Sequence, residues 1–135
     1  MEITARDLRI GNLIFDHECE PHYFEVEQIS KYVGSELWIA YRKGSIKTKT
    51  AEGIPLTEDW LLKFGCIEQK ISSFKSNFWN KDLDFSVDVN YYENGKSKVF
   101  QYLVNNQQRK KQILYVHKLQ NLHFELKDTE LTLTK

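Results

Sequence analysis

Residues 115–126 read YVHKLQNLHFEL, and this stretch decides the fold. Four apolar residues recur in it at the spacing that puts side chains on one stripe of a helix: Tyr115, Leu119, Leu122 and Leu126. Such a stripe stabilises a protein only when it is buried against another element. The sequence therefore predicts an amphipathic C-terminal helix that packs on the rest of the fold.

The chain before this helix alternates between apolar and polar residues, as antiparallel strands do. The alternation is cleanest over residues 83–90, and Asn94-Gly95 then predicts a type I′ hairpin turn. Further strands are predicted at residues 66–71, 98–104 and 111–115, and a loop pinned by Phe74, Phe78 and Trp79 is predicted at residues 72–81. These segments together predict a meander with the C-terminal helix across one face.

A short central helix is predicted between two clear signals. Pro55 disfavours helix at the residue before it, and Thr57 is a good N-cap. Glu58 and Asp59 suit the positive end of the helix dipole, and Gly65 supplies a left-handed end. We expect its apolar face to dock on the core: Trp60, Leu61 and Phe64.

The fold class that follows is α+β, in a single domain over residues 1–135. An N-terminal β-meander is expected over about residues 1–52, where strands over residues 10–50 could curl like an SH3-type barrel. The central helix, a second meander and the C-terminal helix fill about residues 53–135. Three Trp, seven Tyr and eight Phe favour this β-rich interpretation, because large flat rings pack well on pleated surfaces.

The charge balance limits the classes of function. The 19 Lys and Arg residues match the 19 Asp and Glu residues, so the formal net charge is zero. A neutral protein is not expected to bind nucleic acid or anionic membrane through its overall charge. No apolar run has the length of a membrane span, and the first six residues lack the apolar core of a signal peptide. We expect a cytoplasmic protein with reduced thiols and no cofactor.

Three blocks of the sequence carry a resemblance to a known family. They are Asp7–Asn12 (DLRIGN), Gly53–Gly65 (GIPLTEDWLLKFG) and Tyr115–Leu122 (YVHKLQNL). In this order they resemble a family of small uncharacterised proteins from Bacteroidetes genomes, prophages and phages. The family's helix block usually ends in Phe-Ala-Leu and Thr-Gly, whereas this chain has FELKD at residues 124–128. The resemblance implies a bacterial or phage cytosolic protein and no particular activity.

One loop concentrates residue types that bind metal. His17, Cys19 and His22 could hold zinc or another transition metal, with a fourth ligand such as Cys66 from elsewhere in the chain. Their spacing matches no established site. A solvated polar loop is therefore the simpler interpretation, and no metal is predicted.

The C-terminal helix carries a candidate partner surface away from its main stripe. His117, Gln120 and Phe124 could together contact a partner, or the helix could be buried on two sides. Burial is the simpler alternative, because large apolar residues mostly lie in cores. Self-association through this side or through an edge strand is a further possibility.

A second candidate surface combines basic and aromatic residues: Trp38, Tyr41, Lys43, Lys47 and Lys49. Such a surface binds single-stranded nucleic acid by neutralising phosphates and stacking on bases. Charged residues at hairpin ends are more often only solvated, and they discourage edge-to-edge aggregation.

Catalytic motifs are absent from the sequence. It contains no glycine-rich phosphate loop, no Gly-x-Ser-x-Gly elbow and no His-Glu-x-x-His pair. We therefore expect a non-catalytic accessory or protein-interaction module of a phage or mobile element, acting on a protein partner or on a second copy of itself. The alternative is a single-stranded nucleic-acid-binding module.

Overall fold

Antiparallel strands, two α-helices and a short 3-10 helix at Glu93–Gly95 make up the regular structure of the described residues. The computed structural model describes residues 8–15, 23–31, 37–41, 44–47, 52–104 and 109–133. In chain order the elements are β1 (Leu13–Phe15), β2 (Tyr23–Glu25), β3 (Gln28–Lys31), β4 (Leu37–Tyr41), β5 (Gly44–Lys47), α1 (Glu58–Lys63), β6 (Ile67–Ser72), β7 (Lys75–Asn80), β8 (Phe85–Tyr92), β9 (Ser97–Val104), β10 (Arg109–Ile113) and α2 (Val116–Lys127). The strands pair antiparallel throughout these residues, which confirms the predicted α+β class.

The chain divides into two compact units. The N-terminal unit comprises Met1–Pro55 and Tyr115–Asn121, and the C-terminal unit comprises Leu56–Leu114 and Leu122–Lys135. The sequence predicts a single domain with two parts that meet near residue 52. In the structure the N-terminal unit ends at Pro55 and also includes the first half of α2. Each unit is therefore discontinuous along the chain.

The described strands of the N-terminal unit fall into two sheets. β1 pairs with β2, and β3, β4 and β5 form a separate three-stranded sheet. The single meander predicted over residues 10–50 is divided at Val26, whose amide donates to the carbonyl of Asn12 and whose carbonyl accepts from the amide of Gly11. Ile14 and Val26 are fully buried in the core. The SH3-like curl of these strands stays a prediction.

Helix α1 forms as its caps predict. The Thr57 side chain accepts a hydrogen bond from the amide of Trp60, and Gly65 ends the helix with a φ of 90°. Trp60, Leu61 and Phe64 are all buried.

The five-stranded sheet of the C-terminal unit has the order β10-β9-β8-β7-β6. One face contributes Phe85, Val87 and Val89 to the core, as the alternation predicts. The hairpin after β8 is also present, but its last paired residues are Tyr92 and Ser97, so the loop between them is longer than a two-residue type I′ turn. Glu93, Asn94 and Gly95 all adopt positive φ there, with Gly95 at 86°.

Strand β7 corrects the sequence analysis, which placed a loop at residues 72–81. Lys75–Asn80 pairs on both sides, with β6 and with β8. Of the three aromatics expected to pin this loop, only Phe78 is buried; Phe74 is 71% exposed and Trp79 is 45% exposed.

The other face of the five-stranded sheet carries a row of polar side chains. Strand register places one in each strand directly opposite the next: Gln69, Asn77, Asp88, Gln101 and Gln112. We call these five residues the polar row. Asn77 Nδ2 donates to Asp88 Oδ1 at 2.8 Å, and Lys75 Nζ lies 3.2 Å from Asp88 Oδ2.

Helix α2 packs on the sheet through its second half, within the C-terminal unit. The His123 ring meets the edge of Phe85 at 4.9 Å between centroids, and its Nδ1 lies 2.9 Å from the Tyr102 hydroxyl. Leu122 is buried, whereas Leu126 is 44% exposed, and its neighbours in the last turn of the helix are exposed too. The predicted apolar stripe is therefore wrong at Leu126. Neither α1 nor α2 is long and apolar enough to cross a membrane, and the described residues contain no other α-helix.

Candidate functional site

The partner surface predicted on α2 is mostly inaccessible. His117 is 0% exposed and Gln120 is 1% exposed, whereas Phe124 is 38% exposed. A partner therefore cannot reach His117 or Gln120 in this conformation, and burial is the correct alternative for both. Phe124 remains as an exposed ring in the last turn of α2.

Within the N-terminal unit, polar side chains of α2 form hydrogen bonds with residues 11–13. Gln120 Oε1 accepts from the amide of Leu13 at 2.8 Å, and Gln120 Nε2 donates to the carbonyl of Gly11 at 3.1 Å. Asn12 Nδ2 donates to Asn121 Oδ1 at 2.8 Å. These bonds join two of the blocks that carry the family resemblance, so both blocks stabilise the fold of the N-terminal unit.

Of the four candidate metal ligands, the structure describes Cys66. His17, Cys19 and His22 lie outside the described residues. Cys66, the possible fourth ligand, is buried, and burial raises the pKa of its thiol to about 12, which disfavours the metal-binding thiolate. Among the residues that are described, no three His, Cys, Asp or Glu side chains are grouped to hold a metal ion.

The predicted nucleic-acid surface is described only in part. The register of β4 and β5 places Trp38 opposite Lys47 and Tyr41 opposite Gly44. Lys43 and Lys49 lie outside the described residues. An aromatic and a basic position are thus neighbours across one strand pair.

The C-terminal unit holds a groove that the sequence analysis did not predict. It has a volume of about 960 Å³ and lies where the β6–β7 and β8–β9 hairpins end. We call it the hairpin groove; its lining includes Glu68, Lys70, Phe74, Ser76, Tyr91, Tyr92 and the loop Glu93–Gly95. Strand ends and turns therefore build it.

Two aromatic rings stand at this groove without being buried by the fold. Phe74 is 71% exposed and Tyr92 is 53% exposed. The backbone of Phe74 is nevertheless fixed, because its amide donates to Ser72 Oγ at 3.1 Å and its carbonyl accepts from the amide of Tyr91 at 2.8 Å. A fixed backbone with an exposed ring is a preorganised anchor for a ligand.

Tyr91, which lines the groove, lies next to an ion pair. Lys98 Nζ lies 2.8 Å from Glu58 Oε2, and the Tyr91 hydroxyl lies 3.4 Å from the same oxygen. Burial and the Glu58 charge raise the pKa of Tyr91. Burial is the largest single effect on Glu58 and would raise its pKa. The hydrogen bonds from Lys98, the backbone and Tyr91, together with the Lys98 charge, outweigh burial, and the pKa is lowered.

The pKa shifts of Glu58, Tyr91 and Lys98 make these three groups poorly suited to proton transfer at neutral pH. The hydrogen bond to Glu58 raises the pKa of Lys98 above its ordinary value of 10.5. Glu58 and Lys98 therefore stay charged at neutral pH and Tyr91 stays protonated. A general acid or base works best with a pKa near the operating pH, and each of these three groups is moved away from it.

No family model, curated protein or solved structure matches this chain. The resemblance to the Bacteroidetes and phage family therefore stays a prediction, and the geometry of the chain carries the functional argument.

Sequence reasoning missed the hairpin groove because it depends on strand pairing. Asn94-Gly95 was a signal for the turn on one side of it. Phe74 lies in the turn on the other side of the groove. From sequence it is predicted to be buried and to hold a loop, but it is 71% exposed.

Proposed function

We propose that the protein is a non-catalytic interaction module that binds a protein partner in the hairpin groove. The family resemblance implies a bacterial or phage cytosolic protein, and we infer that it acts as an accessory protein of a phage or mobile element. The observation that carries the proposal is that two exposed aromatic residues, Phe74 and Tyr92, line one groove. Exposed aromatic anchors beside a concave surface supply most of the binding energy in many protein interfaces.

The groove is also lined by charged and polar side chains that could select among ligands. Glu68 and Lys70 bring one charge of each sign, and Ser76 Oγ holds Glu68 Oε2 at 2.9 Å. The groove is therefore suited to a peptide segment that presents an apolar side chain flanked by polar groups. A phosphate backbone would meet the carboxylate of Glu68, which makes nucleic acid a poor occupant of this groove.

A displayed library of random linear peptides tests this proposal. Peptides selected on the full chain should shift the backbone resonances of residues 72–74 and 92–95 when titrated. F74S/Y92S should weaken binding of the selected peptide by at least about tenfold, because interface hot spots cost about 2 kcal/mol or more when truncated.

The matched control is L126S, which removes a partly exposed apolar side chain, 44% exposed, from α2. It should bind the selected peptide as the unaltered chain does. Peptides that bind F74S/Y92S and the unaltered chain equally would overturn the hairpin groove as the binding site.

A second candidate function rests on the register of Trp38 and Lys47, which places an aromatic and a basic position opposite each other. Single-stranded nucleic acid would use both, together with Tyr41, Lys43 and Lys49. Fluorescence anisotropy with a labelled oligonucleotide tests it at low and moderate salt. Salt-sensitive binding that is lost in K47A/K49A favours this candidate, and no binding at low salt rejects it.

A further inference from the structure

The two edges of the five-stranded sheet differ in what they offer to another strand. Among the described residues, β6 pairs only with β7, and β10 pairs only with β9. β10 begins with three consecutive basic residues, Arg109–Lys111, and such charges discourage edge-to-edge pairing. The β6 edge is different: all six of its residues are exposed, including Ile67 at 66% and Ile71 at 55%.

The sequence of β6 is complementary to itself when reversed. Residues 67–71 read IEQKI, with an apolar residue at each end and opposite charges on either side of Gln69. We propose that β6 pairs antiparallel with β6 of a second copy, about a twofold axis at Gln69, so that the two five-stranded sheets become one continuous sheet.

This register matches each side chain to a suitable partner. Glu68 stands opposite the second copy's Lys70, and by symmetry Lys70 stands opposite the second copy's Glu68. Ile67 likewise stands opposite the second copy's Ile71. Opposite charges and apolar pairs directly across two strands stabilise their pairing, whereas like charges oppose it.

The backbone of β6 has the correct phase for this register. The amide of Tyr91 donates to the carbonyl of Phe74, so these two residues form a hydrogen-bonded pair between β8 and the start of β7. Backbone groups alternate sides along a strand, so those of Asn77 and Trp79 point towards β6. Their partners there are Gln69 and Ile67.

It follows that the backbone groups of Glu68 and Lys70 point to the open edge. In the proposed register they would form about four hydrogen bonds with the second copy, because each Glu68–Lys70 pair exchanges two. The twofold axis then passes through a non-hydrogen-bonded Gln69 pair, an allowed centre for antiparallel symmetry.

The face on which Gln69 lies supports the same arrangement. Gln69 is the last member of the polar row, so two copies would join their rows into one across the shared sheet. The register of β6 with β7 skips Ile71, where the strand bulges. The Glu68–Lys70 pairs lie in the regular part of β6, and the Ile67–Ile71 pairs lie at its irregular end. A closed twofold dimer is also the commonest assembly of soluble proteins.

This inference goes beyond the proposed function and does not depend on it. Dimer formation is measured on the protein alone, whereas groove binding is measured with a peptide. F74S/Y92S should therefore dimerise like the unaltered chain even though it loses the peptide.

Charge reversal provides the test, with sedimentation equilibrium from micromolar to sub-millimolar protein. The unaltered chain should be a reversible dimer. E68K places two lysines opposite each other twice per dimer, and K70E does the same with two glutamates. Each should raise the dissociation constant by at least about tenfold, because like charges directly opposite are unfavourable.

Two rescues separate edge pairing from general damage to the fold. The double variant E68K/K70E restores opposite charges and should dimerise again. An equimolar mixture of E68K and K70E should form a heterodimer, because every lysine of one chain then faces a glutamate of the other. Circular dichroism of each variant confirms that it is folded.

Matched controls carry the same charge changes at exposed positions away from β6. E125K on α2 and K81E in the turn before β8 should dimerise like the unaltered chain. A chain that is monomeric throughout the concentration range, or a dimer that E68K and K70E leave unchanged, would overturn the inference. A failure of both rescues would overturn the Gln69 register.

Discussion

At residue 123, helix α2 places a histidine in an aromatic environment. His123 is 0% exposed between Phe85 and Tyr102. Burial, with a smaller contribution from Lys127, lowers the pKa of His123 from 6.5 to about 4, although Glu130 and Asp84 act in the opposite direction. The folded protein therefore holds a neutral imidazole under conditions that protonate the unfolded chain.

Stability should consequently fall as the pH is lowered from about 6.5 to about 4. In this range the unfolded state binds the proton that the folded state excludes, so the free energy of unfolding decreases with falling pH. For His123 alone the loss between pH 7 and pH 5 should be about 2 kcal/mol. Urea denaturation of the unaltered chain and H123Q at both pH values measures it.

The control for this prediction is Y102F, which removes the hydroxyl bonded to His123 and keeps the buried imidazole. Y102F should retain a steep pH dependence, whereas H123Q should lose about 2 kcal/mol less than the unaltered chain. Equal losses in H123Q and the unaltered chain would show that His123 does not titrate as described.

Gly53 illustrates a residue fixed by lack of space. A Cβ there would lie 2.9 Å from His117 Cε1 and 2.9 Å from Tyr115 Cδ1, closer than real side chains approach. G53A should destabilise the protein by about 1–3 kcal/mol, the usual cost of overpacking. Thermal and urea denaturation measure the change.

Gly95 supplies the comparison, because a Cβ there meets nothing within 4 Å and only its φ of +86° is special. Asn tolerates positive φ better than other residues with a side chain, so G95N should cost about 1 kcal/mol, through the backbone alone. If G53A were as stable as the unaltered chain, the packing around Gly53 would be looser than the distances indicate.

Among the elements, helix α2 depends on a polar residue at its centre. Gln120 satisfies the amide of Leu13 and the carbonyl of Gly11 together. Q120L would leave the buried Leu13 amide and the partly buried Gly11 carbonyl without that partner. This should cost about 2–4 kcal/mol, because each unsatisfied buried group costs about 1–3 kcal/mol.

Amide hydrogen exchange measures the loss of the Gln120 hydrogen bond at a single residue. The Leu13 amide should be protected in the unaltered chain and should exchange faster in Q120L, while amides in β8 serve as an internal reference. E125A, a change in the exposed last turn of the same helix, should leave Leu13 protected. Equal protection in Q120L would mean that another group satisfies this amide.

The elements also show where sequence reasoning succeeds. Helix α1 was predictable because Thr57, Pro55 and Gly65 act within a few residues of their own positions. Strand β8 was predictable because Phe85, Val87 and Val89 alternate with polar residues. In both elements the deciding physics is local.

Strand β7 was not predictable in this way, because its inward positions include polar residues. Ser76 and Asn80 are buried on the core face, where Ser76 bonds to Glu68 and Asn80 Nδ2 donates to the carbonyl of Phe64 at 2.9 Å. These partners lie in other elements, so the period-two signal is broken in the sequence. The bonding role of Gln120, which the sequence places on a candidate partner surface, was not predictable for the same reason. The hairpin groove follows from β7.

On the scale of the whole molecule, both units depend on the last third of the chain. In the N-terminal unit, Gln120 and Asn121 bond to residues 11–13, and the amide of Val116 donates to the carbonyl of Ile54. In the C-terminal unit, His123 packs on the sheet. The two units therefore draw on successive halves of one helix.

Neither unit should fold when it is cut out as a continuous fragment. A chain of residues 1–55 loses the partners of Leu13 and Asn12, and it falls in the size range where a single core is marginal. A chain of residues 56–114 exposes Phe85 and Tyr102, which His123 contacts in the intact protein. Amide spectra of both fragments should show the narrow dispersion of unfolded chains, with the full chain as the reference. A well-dispersed spectrum from residues 1–55 would show that β1 and β2 need no support from α2, and that the polar contacts of Gln120 and Asn121 contribute little to the N-terminal unit.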